Sequence, residues 1–165
     1  MIIGGQAVLL YGEPRLTRDI DITLGAGIEG LHRMLEIAKE LCLKPIPNDI
    51  EKFVKDTSVL PLIEESTGVR VDFIFSYTPY ETQAIKRARK VKVLGIEVSF
   101  ASPEDLIVHK IFSGRPRDIE DAKSVLLKNP NIDRKYIHRW LKEFEGASEK
   151  KRLLRIFEGI LKEIR

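Results

Sequence analysis

Apolar residues in the first 128 positions form short runs that alternate with stretches of helical spacing. Short runs bounded by turn residues are typical of strands, and apolar positions three and four residues apart are typical of amphipathic helices. The runs predict strands at residues 1–3, 19–24, 58–63, 69–75, 89–94 and 96–100. Gly68 and Gly95 fall between successive strands, where a hairpin turn needs a positive φ. The alternation predicts an α/β (α+β) fold built on a mixed sheet.

The helical stretches share apolar positions on one face and polar positions on the other. They predict helices at residues 6–11, 28–41, 79–87, 103–112, 117–127, 134–144 and 149–164. Ser102 followed by Pro103 is a strong start signal, because serine caps the first amide groups and proline suits the first helical position. The last two helices form an amphipathic pair. We therefore divide the chain into an α/β domain at residues 1–128 and a helical extension at 129–165 that packs on the same domain.

Length and composition limit the class of protein. A chain of 165 residues is long enough for one compact domain, and 43% hydrophobic with 32% charged residues is typical of a soluble globular protein. No apolar run approaches the roughly 20 residues of a membrane span, and the first residues do not resemble a signal peptide. Cys42 is the only cysteine, and no Cys/His cluster has the spacing of a zinc site. These features predict a cytoplasmic protein that does not bind membranes.

Charge is unevenly distributed along the chain. From Asp133 to the end there are ten Lys or Arg residues against six Asp or Glu, and a second basic cluster runs from Lys86 to Lys92. Such clusters bind phosphate groups in some proteins and are only solvated helix faces in many others. Charge alone therefore leaves nucleic-acid binding open.

Two carboxylates lie two positions apart in the predicted strand 19–24. The period of a strand places Asp19 and Asp21 on one face and Ile20 and Ile22 on the other. Neighbouring anions repel each other unless a cation lies between them, and Mg²⁺ prefers such oxygen ligands. The pair is therefore a candidate metal site.

A third carboxylate interrupts the apolar strand 69–75. Val71, Phe73 and Phe75 face one way, and Asp72 faces the other way. A partly buried acid needs a partner. That partner is either a metal shared with the first two carboxylates or a nearby arginine.

Gly4 and Gly5 follow the first strand and precede the first helix. Without side chains, the backbone amides at such a turn can approach a phosphate, and the start of a helix favours an anion. A strand-to-helix turn also uses glycine for geometric reasons alone. Both interpretations stay open.

These residues together resemble a known enzyme group. An apolar strand, Gly4-Gly5, thirteen further residues, Asp19-Ile20-Asp21 and a later Asp72 are similar to the nucleotidyltransferase superfamily that includes DNA polymerase β. The order of elements resembles that superfamily over residues 1–127. The form Gly4-Gly5-Gln6, with Arg15 shortly before the aspartate pair, is similar to minimal nucleotidyltransferases of the AbiEii/AbiGii toxin group.

The resemblance assigns roles to the residues of the first part of the chain. It implies that Gly4, Gly5 and Gln6 lie against the triphosphate of a bound nucleotide. It implies that Asp19 and Asp21 bind two Mg²⁺ ions. Asp72 would complete the metal site and help to deprotonate the acceptor hydroxyl.

A later lysine and a helix with an Arg-Asp-x-x-Asp-like pattern also contribute in the toxin group. The matching residues are Lys110, Asp118 and Asp121, and the resemblance implies that Lys110 contacts the nucleotide phosphates while one of the aspartates orients it. An ordinary ion-pair network is the alternative, because the two aspartates lie one helical turn apart. Arg15 and Arg18 flank the first aspartate pair, where they either meet phosphate charge or neutralise the carboxylates.

The resemblance implies a cytoplasmic Mg²⁺-dependent enzyme that transfers a nucleoside monophosphate from a nucleoside triphosphate to a hydroxyl and releases pyrophosphate. A tRNA or other RNA is the acceptor that the toxin group and the basic clusters favour, and an antitoxin protein is then an expected partner. A protein hydroxyl, a small molecule such as an aminoglycoside, or a non-catalytic binding role are the alternatives. No motif selects among ATP, CTP, GTP and UTP.

Overall fold

The computed structural model of the chain describes residues 1–76, 78–149 and 152–164. The chain divides into two compact units. The first unit contains Met1–Gln6 and Leu16–Phe100, and the second contains Ala7–Arg15 and Ala101–Arg165. Within the described residues, no helix combines the length and the apolar character needed to cross a membrane.

The first unit is built on one mixed sheet. The strands found in the described residues are β1 (Ile2–Ile3), β2 (Asp19–Thr23), β3 (Lys44–Pro45), β4 (Val59–Glu64), β5 (Val69–Ile74), β6 (Arg89–Val93) and β7 (Ile96–Phe100). Their order across the sheet is β3-β4-β5-β2-β1-β7-β6. The pairs β2–β5 and β1–β7 are parallel and the other pairs are antiparallel. The predicted α/β class with a mixed sheet is confirmed.

Within the described residues, seven of the eight helices lie close to their predicted positions. They are α1 (Gly4–Tyr11), α2 (Leu31–Glu40), α3 (Ile50–Thr57), α4 (Pro79–Lys86), α5 (Pro103–Ser113), α6 (Pro116–Lys128), α7 (Arg134–Ala147) and α8 (Leu153–Glu163). A single 3₁₀ turn, Ile28–Gly30, precedes α2. The last helix was predicted from residue 149, and it is described from Leu153; residues 150 and 151 of that prediction lie outside the described residues.

The core of the first unit lies on one face of the sheet. Val71, Phe73 and Phe75 are buried together with residues of α2 and α3, and Ile20 and Ile22 of β2 pack against the same cluster. Because side chains alternate along a strand, Asp19, Asp21 and Asp72 must lie on the opposite face. The predicted assignment of these residues to the two faces is confirmed.

The sequence analysis did not predict two elements of the structure, the short strand β3 and the helix α3. A start signal for α3 is present, because the side chain of Asp49 accepts a hydrogen bond from the Lys52 amide at 3.0 Å. Ile50, Phe53 and Val54 also have helical spacing. The strand β3 has only two residues and carries no such pattern.

The second unit contains the buried helix α5 and the amphipathic helices around it. The Ser102 hydroxyl accepts a hydrogen bond from the Asp105 amide at 3.1 Å, which confirms the predicted start of α5. Ile107 and Ile111 are fully buried, and Trp140 of α7 is 6% exposed. The aromatic residues of α7 therefore contribute to a core rather than to an exposed stacking surface.

Candidate active site

The carboxylates of the first unit are brought together by the parallel pairing of β2 and β5. In this register Asp21 lies opposite Asp72, and Asp19 lies opposite Arg70. All four side chains emerge from the face of the sheet opposite the apolar cluster. Two adjacent strands thus present three carboxylates and one guanidinium on a single surface.

Asp72 has an oxygen without a hydrogen bond. Among the described residues its buried Oδ1 has no hydrogen-bond partner, and Nη2 of Arg70 lies 3.9 Å from it. Burial raises the pKa of Asp72, Arg70 opposes this shift, and Asp19 adds to it. The Arg70 contact is at the limit of an ion pair, so an acceptor on Asp72 stays unsatisfied.

Gly4 brings the backbone against Asp21. Its φ is +63°, and a Cβ placed on it would lie 1.9 Å from Asp21 Oδ2. Both the left-handed backbone and the close approach therefore require glycine at this position. The turn that begins α1 is in contact with one of the candidate metal ligands.

Three further predicted residues lie in the first unit. Gly5 is buried, and Gln6 lies within 3.5 Å of the Asp19 carbonyl oxygen through its Nε2. Arg18 is exposed just before β2. Their contact with a nucleotide stays a prediction.

The described carboxylates of the first unit do not by themselves form a complete set of metal ligands. Among the described residues, no group of three or more His, Cys, Asp or Glu side chains is placed closely enough to hold a metal ion. Mg²⁺ is commonly held by one or two carboxylates, water and substrate phosphates rather than by protein alone. The shared face and the unsatisfied Asp72 oxygen fit an ion that arrives with a nucleotide.

The second unit contains a buried ion-pair network centred on Lys110. Its Nζ lies 2.7 Å from Asp118 Oδ1 and 2.8 Å from Asp121 Oδ2, and the residue is only 5% exposed. The ion-pair network considered in the sequence analysis is therefore present. Contact between Lys110 and a phosphate stays a prediction.

Arginines complete this network from both sides. Arg15 holds Asp121 with two parallel hydrogen bonds of 2.8 Å, from Nε and from Nη2. Asp118 accepts further hydrogen bonds from Ser113 at 2.8 Å and from Arg115 at 2.5 Å. Burial raises the pKa of Asp118, but hydrogen bonds from Arg115, Lys110 and Ser113 outweigh it and hold the pKa at about 2.

The predicted site residues thus fall into two clusters, one in each unit. The first cluster contains Gly4, Gly5, Gln6, Arg18, Asp19, Asp21 and Asp72, and the second contains Arg15, Lys110, Asp118 and Asp121. Arg15 pairs with Asp121 of the second cluster. The sequence analysis missed Arg70 and Arg115. Arg70 had a signal, because a residue two positions before Asp72 on a strand shares its face.

Comparison with known families decides the class of protein. The sequence model of the family described as "Nucleotidyltransferase of unknown function (DUF6036)" matches residues 1–158. The chain belongs to this nucleotidyltransferase family. The predicted superfamily is thereby confirmed, and the finer likeness to the AbiEii/AbiGii group stays a prediction.

A solved structure supports the fold of this family member. An antigenic nucleotidyltransferase-like protein from Paracoccidioides brasiliensis matches 88% of the chain and 78% of its own, with 18% sequence identity and a TM-score of 0.51. Likeness at this identity concerns the fold alone. No curated protein matches the chain.

Proposed function

We propose that the chain catalyses Mg²⁺-dependent transfer of a nucleoside monophosphate from a nucleoside triphosphate to an acceptor hydroxyl. The acceptor oxygen forms a bond to the α-phosphorus, the bond from that phosphorus to the leaving oxygen breaks, and pyrophosphate departs. One observation carries this proposal: Asp21 and Asp72 lie opposite each other on β2 and β5, with the backbone of Gly4 against Asp21. Membership of a nucleotidyltransferase family supports it.

The residues of the first cluster have distinct roles in this reaction. Asp19, Asp21 and Asp72 would hold two Mg²⁺ ions, and Asp72 accepts the proton of the acceptor hydroxyl. When bound, the ions lower the pKa of that hydroxyl and neutralise charge on the leaving pyrophosphate. We assign the backbone amide groups at Gly4 and Gly5 to the triphosphate, because glycine has no side chain of its own to obstruct a phosphate and the start of a helix favours an anion.

The second cluster offers a donor for phosphate. An ammonium group has three N–H donors, and Asp118 and Asp121 occupy two donors of Lys110. We assign the third donor to a nucleotide phosphate, with the two aspartates as positioning residues. The paired arginines keep these aspartates ionised, since they lower the pKa of Asp118 and of Asp121 against the effect of burial.

An RNA hydroxyl is the acceptor that the second unit favours. One face of α7 exposes Arg134, Lys135, His138, Arg139 and Lys142. These residues line a groove of about 460 Å³ together with three residues of α8. Glu158 is the acidic residue among those three. A row of cations on one helix attracts a phosphate backbone. A toxin-like role with an antitoxin protein partner is the biological context that we propose for such an activity.

Transfer of label tests the reaction and the acceptor together. The chain is incubated with Mg²⁺, whole-cell RNA and protein, and each of the four nucleoside triphosphates labelled at the α-phosphorus. We expect label in RNA, none with the Asp19→Ala/Asp21→Ala variant, and normal transfer with Asp56→Ala, which changes an exposed aspartate of α3. Label in the protein fraction would refute the RNA acceptor. Absence of label in both fractions, with a folded chain, would contradict the proposed macromolecular transfer.

The charged face of α7 has its own test. Reversal of two exposed charges, Arg134→Glu and Lys142→Glu, should weaken RNA binding and reduce its dependence on salt concentration. Nucleotide binding, measured by calorimetry, should not change. Equal RNA affinity of the variant and the wild type would show that α7 does not bind the acceptor.

A further inference from the structure

The hairpin of β6 and β7 is an arm at the end of the sheet. Within the described residues, Phe100 is the sole position of β7 that pairs with β1, and β6 is the last strand of the sheet. The rest of the arm is a two-stranded ribbon. Such a ribbon is marginally stable in water unless a third strand or another element covers it.

The tip of the arm exposes apolar residues in a strained turn. Leu94 has a φ of +50° and is 99% exposed, and Gly95 follows it with a φ of +84°. A two-residue turn of this kind favours Asn or Gly, because a side chain is strained in the left-handed region. Val93 and Ile96 beside it are 41% and 68% exposed. Packing contacts within the described part of the chain therefore do not offset the conformational strain at Leu94.

The outer edge of β6 carries main-chain groups that point away from β7. In a two-residue hairpin the flanking residues, here Val93 and Ile96, form the first hydrogen-bonded pair. Hydrogen-bonded and non-bonded pairs alternate along an antiparallel ladder, so Lys90 and Lys92 occupy non-bonded positions. Their amide and carbonyl groups consequently face outward. No strand within the described part of the chain pairs with them.

The two faces of the arm differ in chemistry. Val91 and Val93 of β6 lie on one face, opposite Val98 and Ile96 of β7. Lys90 and Lys92 lie on the other face, where Lys90 forms a 2.7 Å ion pair with Glu97. A neighbouring strand with acidic residues beside the lysines and apolar residues beside the valines would complement both faces. A second copy of β6 would instead place lysine beside lysine.

We propose that the outer edge of β6 binds an extended acidic segment of a partner protein, with apolar residues at alternate positions. The segment adds a third strand to the arm by main-chain hydrogen bonds to Lys90 and Lys92. Its acidic side chains pair with these lysines, and its apolar side chains extend the surface of Val91 and Val93. This inference does not depend on the reaction proposed above.

A designed peptide provides the probe. A fluorescein-labelled peptide of about eight residues that alternates glutamate and valine, within the usual length of a strand, is titrated with the full chain. It is kept below the concentration at which it associates with itself. A lysine–valine peptide of equal length is the matched control. We expect the fluorescence anisotropy of the acidic peptide to rise as the chain is added, and that of the lysine–valine peptide to stay constant.

Two variants separate the main-chain contribution from the charge contribution. Lys92→Pro removes an outward amide but no hydrogen bond to β7, so it should abolish binding while the hairpin persists. Lys90→Gln/Lys92→Gln should weaken binding about fivefold, because two opposite-charge pairs are lost. Lys52→Gln/Lys55→Gln removes two exposed charges from α3 and should leave the affinity unchanged. Circular dichroism verifies that each variant is folded.

Several results would overturn the proposal. No binding of the acidic peptide, or equal binding of both peptides, contradicts it. The proposal is also contradicted if the Lys92→Pro variant binds the acidic peptide as well as the wild type does. A dimer in sedimentation experiments that Lys92→Pro abolishes would assign the edge to a second copy. Binding of an oligouridine, but not the acidic peptide, through Lys90 and Lys92 would assign it to nucleic acid.

Discussion

Asp21 and Asp72 lie directly opposite each other in the register of β2 and β5, and both point away from the apolar core. Like charges opposite each other in a sheet destabilise it. No group in the described part of the chain donates a hydrogen bond to Asp72 Oδ1. The folded chain therefore bears an electrostatic cost that a bound cation would remove, which is the physical basis of the proposed metal site.

Replacement of Asp72 by asparagine should separate stability from activity. The variant removes a partly buried charge whose burial raises the pKa of Asp72, so we expect a free energy of unfolding equal to or above that of the wild type in the absence of Mg²⁺. Transfer activity should fall by about two orders of magnitude or more, because the acceptor hydroxyl loses its proton acceptor and the metal loses a ligand. Urea unfolding and label transfer measure the two effects. A folded Asp72→Asn variant with normal transfer would refute the role of Asp72.

Gly4→Ala should disrupt the same site from the backbone side. The added Cβ would meet Asp21 Oδ2 at 1.9 Å, and alanine is strained at a φ of +63°. We expect a loss of about 1–2 kcal/mol in the free energy of unfolding from the backbone alone, together with loss of transfer. Gly159→Ala is the matched control. It lies within α8, where no atom of the described residues outside its own stretch of helix comes within 4 Å of the new Cβ, and it should stabilise the chain by about 0.5–1 kcal/mol.

The stability of the second unit should depend on Lys110. Lys110→Met leaves Asp118 and Asp121 buried without their shared cation, although Arg15 and Arg115 still contact them. Removal of one partner from a buried ion pair is strongly destabilising, and we expect a loss of about 3 kcal/mol. Chemical denaturation measures it. A loss below about 0.5 kcal/mol would indicate that the two arginines suffice to compensate both carboxylates.

Acid should weaken the same network through Asp118. Its pKa in the folded chain is about 2, below its ordinary value of 3.8. A depressed pKa means that the ionised form stabilises the folded state above pH 3.8, and that this contribution is lost as the pH falls towards 2. Asp118→Asn should therefore be less stable than the wild type at neutral pH, and the difference should shrink across this interval. Unfolding curves recorded over a pH series test this; a constant difference would contradict it.

Local patterns in the sequence predicted the faces of the strands but not their neighbours. The alternation of Ile20 with Asp19 and Asp21 was sufficient to predict which side chains leave the core. The pairing of Asp21 with Asp72 joins positions that are distant in the sequence, so no local pattern encodes it. The same is true of Arg15, which the sequence analysis placed beside the aspartate pair and the structure pairs with Asp121.

The helix α3 and the conformation of Leu94 were not predicted for reasons other than distance in the sequence. The helix α3 was encoded by Asp49 and by the spacing of Ile50 and Phe53, and its signal was overlooked. The turn at Gly95 was predicted because glycine supplies a positive φ. The conformation of Leu94 was not predicted, because a leucine at a left-handed position contradicts the usual preference of that turn.

Leu94→Asn should stabilise the chain. Asparagine tolerates the left-handed region better than leucine, and Leu94 is 99% exposed, so the substitution removes strain without loss of packing. We expect the free energy of unfolding to rise by about 1 kcal/mol, measured by urea denaturation. Leu41→Asn, which changes an exposed leucine with an ordinary φ of −86°, should give no such gain. If Leu94→Asn instead destabilised the chain, Leu94 would have to be stabilised by contacts within the chain itself, and the interpretation of its left-handed conformation as uncompensated strain would fail.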